Sequence, residues 1–84
     1  MKYKIFSIFD SKAENFNTPI FLPTEGQAIR IFDDMVNDQA DKSEIAKHPE
    51  DYTLFCLGEF DSDAGLVTPL TTPKSLGLAQ EFVK

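Results

Sequence analysis

The chain has 84 residues and a mass of 9.5 kDa, enough for one core and too little for two, because domains this small bury only about 60% of the surface exposed by the unfolded chain. Hydrophobic residues at 42% and charged residues at 26%, with eight Phe and two Tyr, exclude wholesale disorder, and the single cysteine, Cys56, excludes an intramolecular disulfide or a thiolate zinc cluster and points to a reducing cytosol. Fourteen acids against eight bases leave a net charge of −6, which counts against tight, non-specific binding of nucleic acid.

Residues 2–10, KYKIFSIFD, read as a strand, with Tyr3, Ile5 and Phe9 on one face and Phe6 and Ile8 on the other. Two apolar faces place it in the interior of a sheet. Ser11 to Asn17 is a polar loop, and Thr18-Pro19-Ile20-Phe21-Leu22-Pro23 is extended, at most a short edge strand between its prolines. Thr24 followed by Gln27 is a capping-box pattern, and Ala28, Ile31, Phe32 and Met35 recur at helical spacing. A helix is therefore expected over about 25–38, its stripe widened by Ile29 and Val36, with Arg30, Asp33, Asp34 and Asn37 left to solvent.

Residues 39–51 are polar, with one helical turn over Ser43 to Lys47 that His48-Pro49 stops, and no core is expected there. The negative charge gathers in the same region. Residues 33–51 carry Asp33, Asp34, Asp38, Asp41, Glu44, Glu50 and Asp51 against Lys42 and Lys47, whereas residues 1–32 are slightly basic. The run reads as a solvated helix end and loop, turned away from any nucleic acid or toward a basic partner. Tyr52 to Phe60 is a second two-sided strand, with Tyr52, Leu54, Cys56 and Phe60 alternating against Phe55 and Leu57. Asp61-Ser62-Asp63-Ala64-Gly65 supplies a turn, so Leu66-Val67 begins a return strand that is expected to end near Pro69. From Ser75 onward Leu76, Leu78, Ala79, Phe82 and Val83 fit a short terminal helix.

The fold class that follows is α+β, one domain over residues 1–84: a small mixed sheet of three to four strands with one main helix packed on it and a short C-terminal helix. The first and second main strands are expected to be parallel, joined by the helix as a crossover. Since both are apolar on two sides, either the terminal helix or a second subunit covers the second face, and a homodimer is the expected assembly.

Little in the chain points to catalysis. Asp61-x-Asp63-x-Gly65 fails as a calcium loop because Leu66 and Thr72 stand where glycine and glutamate are needed, and no glycine-rich phosphate loop is present. His48, the one imidazole, reads as an exposed loop residue and Cys56 as a small core hydrophobe. The expectation is a non-enzyme with no catalytic, cofactor or metal residues. One constellation remains: Lys2, Tyr3, Lys4, Phe6 and Phe9 interleave cations and rings, as proteins that stack single-stranded bases do. Lys2, Tyr3, Lys4, Phe9, Lys12 and Arg30 are the candidate nucleic-acid-binding residues, against the alternative that the rings are core and the lysines protect a strand end. Apolar runs of two to three residues and an N-terminus without a signal-peptide core argue against a membrane span or classical secretion.

The segments MKYKIFSIFDSKAE, FLPTEGQAIRIFDDMVND, HPEDYTLFCLGEFDSDAG and TPLTTPKSLGLAQEFV together resemble the small non-structural protein of gokushoviruses, single-stranded DNA bacteriophages of the Microviridae. The match spans nearly the whole chain, and Phe21-Leu22-Pro23-Thr24 and His48-Pro49-Glu50-Asp51-Tyr52 carry it most strongly. The resemblance implies a place in the host bacterial cytoplasm and a part in viral DNA replication, at the stage of single-stranded genome synthesis. The partners expected from it are single-stranded DNA and a viral or host replication protein. The competing expectation is an acidic adaptor that binds such a protein without contacting DNA. No catalytic residues come with the family.

Overall fold

The computed structural model describes residues 1–40 and 43–84, so Asp41 and Lys42 of the acidic run lie outside the described residues. Strand β1 (Lys2–Asp10) stops where Asp10 turns its carboxylate back on the chain, Oδ1 accepting the backbone N–H of Lys12 at 2.9 Å and of Ala13 at 3.3 Å. Glu14 at φ 59° completes the reversal into β2 (Asn15–Phe16), which pairs with the end of β1. β3 (Ile20–Leu22) then pairs with Lys4–Phe6 on the same edge of β1.

Thr24 caps α1 (Glu25–Val36) by accepting the Gln27 N–H at 3.2 Å, so the helix begins where the capping pattern places it. At its other end the Asn37 amide donates to the Phe82 carbonyl at 2.9 Å and accepts the Lys84 N–H at 3.1 Å, which ties the C-terminal segment to the helix. Ser43 caps α2 (Glu44–Lys47), and a 3-10 turn at Pro49–Asp51 leads into β4 (Tyr52–Asp61). The expectation that this region builds no core is corrected by Ile45. One α2 turn aims that side chain inward, where it is 6% exposed and belongs to the core.

The Asp61–Gly65 turn forms as expected, with the Gly65 N–H on the Asp61 carbonyl at 2.8 Å and Gly65 itself left-handed at φ 65°. The return strand β5 (Leu66–Leu78) does not end at Pro69. It continues past Pro69 and Pro73 because it is an edge strand, where a missing N–H is tolerated, and its register with β4 shifts between the pairs Gly58↔Pro69 and Cys56↔Lys74. The expected short C-terminal helix forms as a four-residue 3-10 helix, Ala79–Phe82.

One antiparallel sheet of five strands results, ordered β2-β1-β4-β5 with β3 also on β1, and with α1 on one side the α+β class holds. Its details correct the expectation of a mixed sheet of three to four strands. β1 and β4 are antiparallel, from Lys2↔Asp61 to Asp10↔Tyr52. The reason is β3: the chain reverses once more before α1, so the helix connects β3 to β4, two strands that run the same way on either side of β1.

Phe6, Tyr52, Leu54 and Cys56 meet Ala28, Phe32 and Val36 of α1 between these layers, with Ala79 and a Phe32–Phe82 edge contact at 5.5 Å closing the C-terminal end. Cys56, 3% exposed, is the core residue expected. The smallest extent of the molecule, 18 Å, has room for one sheet and one helix and no third layer.

Candidate functional site

Cross-strand partners share a face, so the register sorts every side chain of the sheet. On the side opposite α1 stand Tyr3, Ile5, Ser7 and Phe9 of β1, Phe16 opposite Phe9, and Phe21 opposite Ile5. β4 adds Phe55 opposite Ser7 and Phe60 opposite Tyr3, and β5 adds Val67 opposite Phe60. Six rings thus lie on one face in two groups. Phe9, Phe16 and Phe55 contact one another with centroids 4.9–6.4 Å apart. Tyr3, Phe21 and Phe60 form the other group, Phe60 lying 6.5 Å from Tyr3 and 5.7 Å from Phe21. With Val67 they line a shallow apolar hollow of about 260 Å³. No described element covers this face, and Phe16, Phe21 and Val67 remain 43%, 49% and 55% exposed.

The charges of the same strands go the other way. Lys2 is opposite Asp61 and 3.5 Å from Glu59, and Lys4 is opposite Glu59 and Leu22, the last packed on the core. Lys74, opposite Cys56, reaches across to Glu25 of α1 at 3.0 Å. The uncovered face therefore carries rings and no charged side chain from its paired positions.

Of the residues expected to bind nucleic acid, the structure brings Tyr3 and Phe9 to this face and sends Lys2 and Lys4 to the opposite one. Lys12 is exposed in the loop beyond Phe9, and Arg30 points to solvent from α1, across the sheet from the rings. Phe16, Phe21, Phe55 and Phe60 complete the face and were not singled out by sequence. Simple alternation groups Phe60 with Tyr52, Leu54 and Cys56, but a β-bulge at Leu57, between the pairs Phe6↔Cys56 and Ile5↔Gly58, shifts the phase and turns Phe60 to the side of Phe55. Gly58 was the available signal, since a glycine inside a strand marks a bulge or a close backbone approach.

Two other groupings are formed by the fold. His48 is exposed, 3.9 Å from Glu44 and 3.8 Å from Glu50, and its ring nitrogen lies with carboxylates of Glu50 and Asp51 inside a span of 4.8 Å. Beside it Tyr52 is buried; burial first, then Asp10, Glu44 and Asp51, push its phenol above the ordinary 10.0. An apolar cleft of about 290 Å³ also opens between α1 and the outer edge of β1, in the gap between β2 and β3.

Fold and face together define a small α+β domain with one sheet face under a helix and the other an open aromatic surface. The chain belongs to the Phage ORF5 protein family, whose model matches residues 3–82. Protein ORF5 of Chlamydia phage 1 is 36% identical over 67 residues, a match covering 77% of this chain and 70% of that protein. That phage is a gokushovirus, so the kinship expected from the sequence holds. No solved structure matches the chain. Among the described residues no helix is long and apolar enough to cross a membrane.

Proposed function

We propose that this phage protein is a non-enzymatic accessory of viral DNA synthesis that works by protein contact through its uncovered sheet face. The observation that carries the reading is the separation of rings from cations. A nucleic-acid platform stacks bases on rings and neutralises the adjoining phosphates with Lys or Arg. Here the rings are on one side, and Lys2, Lys4, Lys74 and Arg30 are on the other, three of these four being strand lysines held among or opposite core residues and acids. A charge-free apolar face rimmed by polar residues is the chemistry of a protein interface. The net charge of −6 adds a repulsion that any DNA strand must overcome.

A second reading, direct binding of single-stranded DNA, is favoured by the number of rings. On this geometry stacking alone supplies the affinity, because Lys12, the remaining predicted cation, lines the hollow of Asp10, Glu44, Glu50 and Asp51. Titrating the chain with single-stranded DNA at several salt concentrations separates the two. Protein contact predicts no saturable binding at low salt; stacking predicts binding with a shallow salt slope of about one unit or less. A steep slope would overturn both.

A further inference from the structure

We infer that the occupant of the ring face is a second copy of this chain, two sheets packing face to face about a two-fold axis. The inference rests on reading that face as a protein contact. Both central strands are apolar on two sides, so each face calls for a cover, and an apolar face left open marks an interaction surface. α1 supplies one. Among the described residues the C-terminal segment does not supply the other: it packs beside α1, with Ala79 in the core and Phe82 against Phe32.

The face also suits its own copy. With no charged side chain at its paired positions, two copies meet without burying an unmatched charge, although each chain carries −6 in total. Four strand rows about 4.8 Å apart, with β2 and β3 sharing one row, and about nine residues long at about 3.4 Å each bound the face at about 600 Å². A pair then buries up to about 1,200 Å², the low end of the range of specific, stable interfaces. Aligned sheets packed about 10 Å apart are a standard arrangement of antiparallel sheets. The alternative of joining sheets edge to edge is closed: β2 and β3 are two and three residues long, Pro19 and Pro23 flank β3, and β5 carries Pro69 and Pro73.

Sedimentation velocity of the intact chain tests this. The expected result is a dimer at micromolar concentration, with Phe21→Lys and Val67→Lys each raising its dissociation constant by about 100-fold or more. Both positions are about half exposed in the single chain, and circular dichroism verifies that each variant is folded. Ile31→Lys, at an exposed position on the α1 side, should leave the dimer intact. A wild-type chain that is monomeric throughout the micromolar range overturns the inference, as does a dimer that survives both ring-face substitutions. If the monomer binds single-stranded DNA, the protein-contact reading falls with it. If it does not, only the second copy is lost and a different protein partner keeps the face.

Discussion

Lys4 stands directly opposite Leu22 across the β1–β3 pair, and Leu22 packs on the helical core, so this lysine leaves the strand on the side away from its neighbour Tyr3. Cations and rings that alternate in sequence are separated by the sheet itself. Replacing Lys2 and Lys4 together by Gln should therefore change the salt slope of any single-stranded DNA binding by less than about half a unit, where two phosphate contacts would remove about 1.4. The Lys2–Glu59 pair is largely exposed, so stability should shift by no more than about 0.5 kcal/mol. Fluorescence titration and urea melts of the double variant check both numbers.

Gly58 lies against β5 so closely that a Cβ would sit 2.5 Å from the Thr68 carbonyl oxygen and 2.9 Å from the Pro69 Cα. Both obstacles are backbone and cannot swing aside. Gly58→Ala should cost about 1–3 kcal/mol in urea denaturation, by forcing β5 away from β4 at the bulge. An unchanged midpoint would mean that the edge strand yields freely. By contrast Gly26, with nothing nearer than the Thr24 hydroxyl at 3.9 Å, should accept Ala with no loss.

The elements were legible where local chemistry decides them. Thr24 and Gln27 announce the helix start, Asp61 to Gly65 the hairpin, and the two-sided strands a second face that calls for a cover. Strand direction was not legible, because it depends on β3, three residues whose pairing to β1 no local pattern reveals. The ring face was legible only in part: of its six rings the sequence singled out Tyr3 and Phe9. Phe60 was lost because one extra residue, Leu57, inverts the alternation that assigns faces. Lys2 and Lys4 fall on the other face for a simpler reason, since neighbours in a strand point to opposite sides.

Tyr52 makes stability depend on alkaline pH. Its phenol is held neutral by burial and by the carboxylates of Asp10, Glu44 and Asp51, so the folded-state pKa is above the ordinary 10.0. Above that value the unfolded chain releases the proton while the folded chain keeps it, and stability falls as pH rises. Below it, the residue adds no slope. Thermal melts between pH 9 and 11, values chosen to span about one unit on each side of an unperturbed tyrosine, should show a decline that Tyr52→Phe reduces. If the variant declines as steeply as the wild type, the phenol is not the group responsible.

The two faces of the sheet should differ most clearly in what a lost ring costs. Phe32, 1% exposed, fills the space between α1 and the sheet and meets Phe82 edge-on at 5.5 Å. Phe32→Ala leaves a cavity that close-packed neighbours fill only in part, and about 3–5 kcal/mol should be lost. Phe21, on the uncovered face, is 49% exposed and touches Phe60 at 5.7 Å. Its removal gives up roughly half of a ring's burial, about 1 kcal/mol within a single chain. Association would inflate that figure, so the comparison belongs in the Val67→Lys background, where the pairing of copies is expected to be broken. Urea denaturation there should rank Phe32→Ala far below Phe21→Ala in stability. In the otherwise wild-type chain Phe21→Ala should also make the melting temperature less dependent on protein concentration, because a weakened pair contributes less mass-action stabilisation. Equal costs in the two backgrounds would mean that Phe21 stabilises its own chain alone and takes no part in the pairing of copies.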